Sequence, residues 1–379
     1  MKTSLLLKSI RLISHTSWKA QYFARTQHCP FTVNLVAPSS FDAKSLLLLT
    51  TPSLLRDATE KSLQLYEQKD LQIVIASVDT VLPNFYRHGV SELWMDSYMD
   101  IKFSERLEEE NIRRRSQIIK GRTPQVVRNT WEIIDSSLSV DLDQNTSISL
   151  KLATTIFSTG RLVSLFYLQP QCLNEGHENS GQYLCDLKIA LPKNIKSTNS
   201  KLEVEDCWIP LYEPGTELAI TDCTGNLIKS INGEPASLLL QENDKLLSVG
   251  SRETKVYVKL IPNGTQEEKR YEIIAGGGEW GAKANILALT PDARPQKNDR
   301  LQIYMVPPET DYTKKYTQGF LSNKFVFECS PEEVSYHSQT PSKALTLENV
   351  FGGGSENGFY CNEVQHKSKG ERVYISLQA

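Results

Sequence analysis

The chain has 379 residues, of which 39% are hydrophobic and 23% are charged, and its formal net charge is −3. These values are ordinary for a globular protein, and the length allows two domains or one large one. The slight acidic excess argues against a nucleic-acid-binding protein, because such proteins usually present a basic surface, although it still permits a local basic patch.

The N-terminal segment has the composition of a mitochondrial transit peptide. No acidic residue precedes Asp42, while basic and hydroxyl-bearing residues are frequent. Lys8 and Arg11 interrupt the apolar run that a secretory signal needs, and the chain offers no run of about 20 apolar residues for a membrane span. We therefore predict a transit peptide over residues 1–26, cut near Arg25, and a mature protein in the mitochondrial matrix. A disordered cytosolic tail is the alternative.

The cysteines indicate reduced thiols in a reducing compartment. All seven are scattered along the chain, and no CxxC pair occurs. Cys172, His177 and Cys185 form an alternative set of metal ligands, but their spacing matches no zinc pattern. We predict neither a metal nor a cofactor.

The N-terminal part reads as alternating strands and helices. Ser45–Leu49 and Leu71–Ser77 are apolar runs of strand length, and Asp57–Gln68 between them has helical spacing. This order predicts a βαβ unit in a mixed sheet. Phe31–Val36 and Gly89–Trp94 are predicted as further strands.

The most charged stretch, Ser104–Gly121, is predicted to be a solvated helix because its acids and bases recur at i,i+4 spacing. Within it, Arg113, Arg114 and Arg115 form a basic cluster that could contact RNA. The acids immediately before the cluster favour a solvated helix face instead. The polar stretch Asp135–Ser147 is predicted to be a loop.

The C-terminal part is predicted to be rich in short strands separated by turn signals. The predicted strands are Leu187–Leu191, Glu217–Thr221, Leu227–Ile231, Lys255–Ile261, Tyr271–Ile274, Ile286–Leu289, Leu301–Val306, Lys324–Cys329 and Arg372–Leu377. The whole pattern predicts an α/β (mixed α+β) protein with flanking helices. Its two sheet-bearing halves would comprise residues 29–165 and 166–379.

The stretch Ala219–Leu240 predicts a hairpin followed by a helix. Thr224-Gly225-Asn226 has the composition of a tight turn, Gly233 ends the second strand, and Pro235 suits a first helical turn. Together with Ala236, these positions resemble the strand, turn, strand and glycine-x-proline-alanine element of the FIST domain family.

The resemblance to FIST domains extends loosely over residues 40–365. Gly89-Val90-Ser91 resembles an early strand of the family, and the glycine-rich stretch Val350–Phe359 resembles a late strand and turn. The family carries no catalytic motif to transfer. The resemblance implies a sensory or interaction module that binds small molecules such as amino acids.

The first candidate ligand loop is the glycine-rich segment 276–283. Successive flexible amides beside a lysine can form an anion-binding nest, although the spacing is not that of a P-loop. The alternative is a tight loop whose tryptophan fills a core edge. The candidate residues are Gly276, Gly277, Gly278, Glu279, Trp280 and Lys283.

The second candidate loop is the glycine-rich segment 352–358, which contains Ser355, Glu356 and Asn357. Glu356 could accept an amine, and Asn357 could recognise a carboxylate or an amide. The alternative is a glycine-rich turn at the end of a sheet. A hydrolase or transferase using Glu356 with Ser355 or Lys283 is a third hypothesis, but no catalytic motif supports it.

These observations predict a non-enzymatic, FIST-like matrix protein that binds a small, possibly amino-acid-like ligand or a protein partner, and that has no membrane span. A mitochondrial gene-expression or assembly factor, working through RNA or protein contacts, is the runner-up. Its support is the cluster of Arg113, Arg114 and Arg115 together with the predicted matrix location.

Overall fold

The computed structural model describes residues 21–28, 32–82, 86–106, 136–155, 163–173, 181–192, 201–213, 215–249, 254–265, 268–276, 285–307, 323–330, 344–362 and 364–376. These residues form three β-sheets and three α-helices, so the described fold is mostly β. The predicted α/β class with flanking helices is wrong. Only one of the three helices is longer than six residues, and the described strands pack mainly on other strands.

The large sheet has twelve strands. Eleven of them follow one another in space in the order β20 (Leu345–Glu348), β1 (Tyr22–His28), β4 (Gly89–Met95), β2 (Ser45–Thr50), β3 (Gln72–Ser77), β8 (Leu165–Leu168), β9 (Gly181–Ala190), β6 (Ser137–Asp141), β7 (Ser147–Lys151), β22 (Phe359–Cys361) and β23 (Val364–His366). The twelfth strand, β5 (Asp100–Arg106), pairs with β9. The large sheet therefore takes strands from both predicted halves.

The predicted βαβ unit is confirmed. β2 and β3 are parallel neighbours, and helix α1 (Leu55–Lys69) connects them. Leu46 and Leu48 of β2 pack with the α1 side, whereas Leu47 and Leu49 pack into the core on the opposite face. Because β2 is buried on both faces, its sequence is continuously apolar rather than alternating.

A four-stranded sheet covers the second face of the large sheet. Its order is β10 (Lys201–Glu205), β24 (Arg372–Ser376), β19 (Lys324–Cys329) and β21 (Val350–Ser355), with β19 and β21 parallel. Phe325, Phe327 and Phe351 share one core with Leu47 and Leu49. This region is therefore a sandwich of two sheets with α1 on its outer face, and we call it the sandwich.

Residues 209–306 contribute a third sheet, whose six main strands close into a ring because β18 pairs with both β12 and β15. The ring order is β12 (Leu218–Thr224), β13 (Leu227–Ile231), β17 (Leu287–Leu289), β16 (Lys269–Gly276), β15 (Lys255–Ile261) and β18 (Arg300–Val306). The short strands β11 (Ile209–Pro210) and β14 (Glu234–Pro235) pair with β18 and β13. Alternating apolar residues fill the ring with its own core.

The remaining helices are short and belong to the ring region. They are α2 (Leu238–Gln241) and α3 (Asp244–Val249), and a 3-10 turn covers Gln171–Leu173 in the sandwich. The predicted hairpin in the stretch Ala219–Leu240 is confirmed as β12 and β13. Pro235 does not begin the helix, because it pairs with Ser230 and the helix begins at Leu238.

Several other local predictions are wrong. The predicted loop Asp135–Ser147 contains β6, whose residues alternate between buried and half-buried. Residues 32–36 of the predicted strand Phe31–Val36 form no strand. Residues 104–106 of the predicted charged helix belong to β5, and residues 107–121 lie outside the described part of the chain.

Among the described residues, no helix is both long enough and apolar enough to span a membrane.

Candidate functional site

The first candidate loop lies almost entirely outside the described residues. Gly276 is the last residue of β16, pairs with Leu287 and is exposed. The other candidates of this loop, Gly277, Gly278, Glu279, Trp280 and Lys283, fall in the range that is not described, as do Arg113, Arg114 and Arg115.

The glycines of the second candidate loop are explained by contacts within the protein. Gly352 has φ 151°, and a Cβ atom there would lie 1.7 Å from the carbonyl oxygen of Val326. A Cβ atom on Gly354 would lie 2.2 Å from Thr80 Oγ1 and 2.4 Å from Ser330 Oγ. These distances are too short for any side chain, so the glycines let β21 approach its neighbours closely.

The three polar residues that follow these glycines have different surroundings. Ser355 is fully buried, and its hydroxyl oxygen accepts the backbone N–H of Asn357 at 3.2 Å. Glu356 is partly exposed and forms an ion pair with Arg87, with 2.5 Å between Oε1 and Nη1. Glu356 is therefore the member of this trio with a charged partner, the buried Arg87.

The ends of three strands meet beside Glu356. The backbone N–H of Asp79, just after β3, donates to the carbonyl oxygen of Gly354 at 3.0 Å. The N–H of Ser330, just after β19, donates to the carbonyl oxygen of Ser355 at 2.9 Å. Residues that follow the parallel strands β19 and β21 are thereby held beside residues that follow β3 of the large sheet.

Asp79 is the residue at this edge that sequence reasoning missed. Its Oδ2 accepts the backbone N–H of Glu356 at 2.8 Å, and it forms no ion pair with any described residue. Burial raises the pKa of Asp79 to about 7, with a further rise from the charge of Glu356. The N–H of Glu356 and the charge of Arg87 act in the opposite direction. We call Asp79, Arg87 and Glu356 the strand-end site.

A buried polar network lies next to the strand-end site. Thr80 Oγ1 is 2.6 Å from Ser330 Oγ and donates to Glu328 at 3.4 Å. Arg372 in turn donates to Glu328 from Nε at 3.1 Å. These buried groups partner one another, so they hold the strand ends in place.

The alternative metal set is not brought together in the described part of the chain. His177 is not described, and Cys172 Sγ lies 3.2 Å from the hydroxyl of Tyr98. Cys185 instead lies beside Glu105 and Asp186, with the ligand atoms within 4.8 Å of one another. The six described cysteines are free thiols.

The strand-end site has the chemistry of a cation-binding site with an anion-binding neighbour. Asp79 and Glu356 supply two carboxylates, and Arg87 supplies one guanidinium that already pairs with Glu356. Sequence reasoning found Glu356 from its glycine-rich context. It could not find Asp79 or Arg87, because both lie more than 250 positions away along the chain.

Comparisons with known proteins add no relative: no family model, no curated protein and no solved structure matches this chain.

Proposed function

We propose that this protein is a non-enzymatic binding module that takes a small amine-bearing ligand at the strand-end site. The observation that carries the proposal is the carboxylate of Asp79, which is partly buried, accepts one backbone N–H and has no ion-pair partner among the described residues. A charged group taken out of water is stabilised by an opposite charge, and a primary ammonium supplies that charge with three donors.

Arg87 would give the same ligand a second point of attachment. It pairs with Glu356, which is partly exposed and belongs to a turn. A ligand carboxylate can compete with Glu356 for the guanidinium, because arginine binds carboxylates with directed N–H donors. An amino acid carries both groups, so amino-acid-like ligands suit this site best.

A thermal-shift screen of the purified protein with free amino acids, simple alkylamines and simple carboxylates tests the proposal. A ligand at one hundred times its Kd would stabilise the protein by about 2.7 kcal/mol, which raises Tm by several degrees. We expect Asp79→Asn to abolish the shift and Glu60→Gln, an exposed acid on α1, to retain it. A flat response across all three classes would contradict the proposal.

The affinity for an amine should depend on pH. An ammonium group binds the ionised form of Asp79, and the pKa of Asp79 is raised to about 7. Binding should therefore strengthen as pH rises from 6 to 8, while the ligand amine stays protonated. Calorimetric titration at the two pH values measures this change. Equal affinities would show that ionisation of Asp79 does not contribute to ligand binding.

We further propose a mitochondrial location, supported by the acid-free, basic N-terminal segment. The boundary of the leader needs revision, because β1 begins at Tyr22 and Arg25 forms two hydrogen bonds of 2.9 Å with the buried Glu92. A cut after residue 26 would remove five of the seven residues of β1. We therefore expect sequencing of the protein recovered from mitochondria to give an N-terminus at or before Gln21. A start at Gln27 would contradict this boundary.

A further inference from the structure

A small pocket lies where the ring meets the sandwich. It is a small depression that is partly open to solvent. Tyr257, Arg270 and Tyr271 of the ring form one side, and Lys367 and Ser368, just after β23, form the other. The pocket is separate from Asp79, Arg87 and Glu356, none of which lines it.

Arg270 is the central charged group of this pocket, and its side chain is only 9% exposed. Its Nη1 contacts Glu371 and donates to Asp206 at 3.0 Å, which uses both hydrogens of that nitrogen. The guanidinium also lies over the ring of Trp208, with 4.9 Å between its carbon and the ring centroid. These contacts fix its position.

Three N–H donors of Arg270 remain, one on Nε and two on Nη2. None of them forms a hydrogen bond with another residue in the described part of the chain. Neither nitrogen is sealed from solvent, and the side chain lines the pocket, so these donors are open to an acceptor that enters it. The pocket therefore offers three directed N–H donors to an acceptor of suitable size.

The neighbouring groups are also donors. The hydroxyl oxygen of Ser368 accepts the indole N–H of Trp208 at 2.8 Å, so its own hydrogen is available. Lys367 is exposed and forms no ion pair with a described residue. Thr290 adds a further hydroxyl to the lining.

Each acid around the pocket already has a hydrogen-bond or ion-pair partner. Asp206 and Glu371 share Nη1 of Arg270, and His366 Nδ1 lies 2.8 Å from Glu371. Glu272, which lines the pocket, pairs with Lys255 at 3.4 Å. Lys367 therefore contributes a positive charge that no described acid pairs with.

We propose that this pocket binds a small oxyanion, either a carboxylate or a phosphate group of a ligand. Its oxygens would accept the remaining N–H groups of Arg270, the hydroxyl hydrogens of Ser368 and Thr290, and a hydrogen bond from Lys367. Charge-assisted hydrogen bonds of this kind are the strong ones in proteins. The bound anion would touch both the ring and the sandwich, so it would also stabilise their junction.

Titration of the full-length protein with inorganic phosphate, sulfate or acetate, at constant ionic strength, tests the proposal. The readout is tryptophan fluorescence, since Trp208 contacts Arg270 and Ser368. We expect a saturable change in at least one titration and no such change in Trp208→Phe. Tighter binding of phosphate than of acetate identifies a phosphate-bearing ligand, and the reverse order identifies a carboxylate.

Lys61→Ala is the control for Lys367→Ala, because Lys61 is a half-buried lysine on α1 that does not line the pocket. We expect about five-fold weaker anion binding for Lys367→Ala, as for the loss of one exposed charge, and no change for Lys61→Ala. Thr290→Val should weaken binding further in combination with Lys367→Ala. The absence of a saturable signal with all three anions, or wild-type affinity in Lys367→Ala, would overturn the proposal. Asp79→Asn should leave anion binding unchanged, which keeps this test independent of the amine site.

Discussion

Glu92, which is fully buried in β4, and Asp79, which is partly buried just after β3, are two carboxylates with opposite surroundings. Glu92 of β4 is fully buried, and its oxygens accept hydrogen bonds from Arg25, Gln27 and the indole N–H of Trp94 at 2.7–3.2 Å. Asp79 accepts a single backbone N–H through its side chain. Burial raises the pKa of both carboxyls, but only at Glu92 do three side chains act against that rise.

The difference separates a structural charge from a binding charge. A buried carboxylate whose oxygens all accept hydrogen bonds stabilises the fold, and removing one of its donors lowers the free energy of unfolding. A carboxylate with one donor and no cation retains the capacity to bind one. Burial alone does not distinguish Glu92 from Asp79, whereas the number of their partners does.

The largest expected effect is at Glu92, whose carboxylate has a full set of hydrogen-bond donors. Arg25→Ala leaves the Glu92 carboxylate buried without its cation, so we expect a loss of about 3–5 kcal/mol in the free energy of unfolding, measured by chemical denaturation. Arg56→Ala is the matched control. It breaks an exposed i,i+4 pair with Glu60 and should cost less than about 0.5 kcal/mol. A loss below about 1 kcal/mol in Arg25→Ala would contradict the structural role of the Glu92 carboxylate.

The strand that runs between the two sites should be almost as sensitive. The N–H of Gly352 donates to Ser91, next to Glu92, and β21 continues to the strand-end site. Gly352→Ala forces a Cβ into the carbonyl of Val326, so we expect a loss of at least about 3 kcal/mol in the same assay. Gly225→Ala, in an open turn with φ 61°, should cost about 1 kcal/mol.

His28 should lower the stability of the fold as pH falls. It is fully buried, neither of its ring nitrogens has a hydrogen-bond partner, and burial lowers its pKa to about 3. The unfolded chain takes up this proton below pH 6.5 and the folded protein does not. Stability should therefore be full above pH 6.5 and should fall by about 2 kcal/mol between pH 7 and pH 5. His28→Gln should remove that part of the slope, and an unchanged slope would contradict it.

The smallest expected effect is the pH dependence of stability that Asp79 causes, which has the opposite sign to that of His28. Its pKa is raised to about 7, so its contribution to stability is fully present below pH 3.8 and is lost as pH rises through 7. We expect Asp79→Asn to gain about 1.3 kcal/mol over the wild type at pH 8 relative to pH 6, measured by denaturation at both pH values. A wild-type pH profile in Asp79→Asn would show that the carboxyl is better paired than the described contacts indicate.

Local strand patterns were well predicted from the sequence, and the fold class was not. Lys255–Ile261 and Lys324–Cys329 are strands with the predicted bounds, because alternation and flanking turns define them locally. β6 was missed because its serines and aspartate resemble a loop, although Leu138 and Val140 are buried on one face. Sheet order and ring closure depend on pairing between distant strands, which a single sequence does not record.

The candidate site was half predictable for the same reason. Glu356 stands in a glycine-rich stretch that attracts notice by itself. Asp79 and Arg87 stand in ordinary contexts and gain meaning only where β3 and β21 end together. Protein atoms fill the space beside the glycines that suggested a ligand loop, so these glycines are explained by packing and not by a ligand.

The pairing of β1 with β20 has a consequence for the order of folding. Arg25 lies opposite Glu348, more than 320 positions further along the chain. β1 can pair early with β4, but its other edge stays open until β20 is present. Contacts this distant in sequence close slowly, and an open strand edge invites association with other chains. A nascent chain would therefore need protection of that edge until β20 had been synthesised.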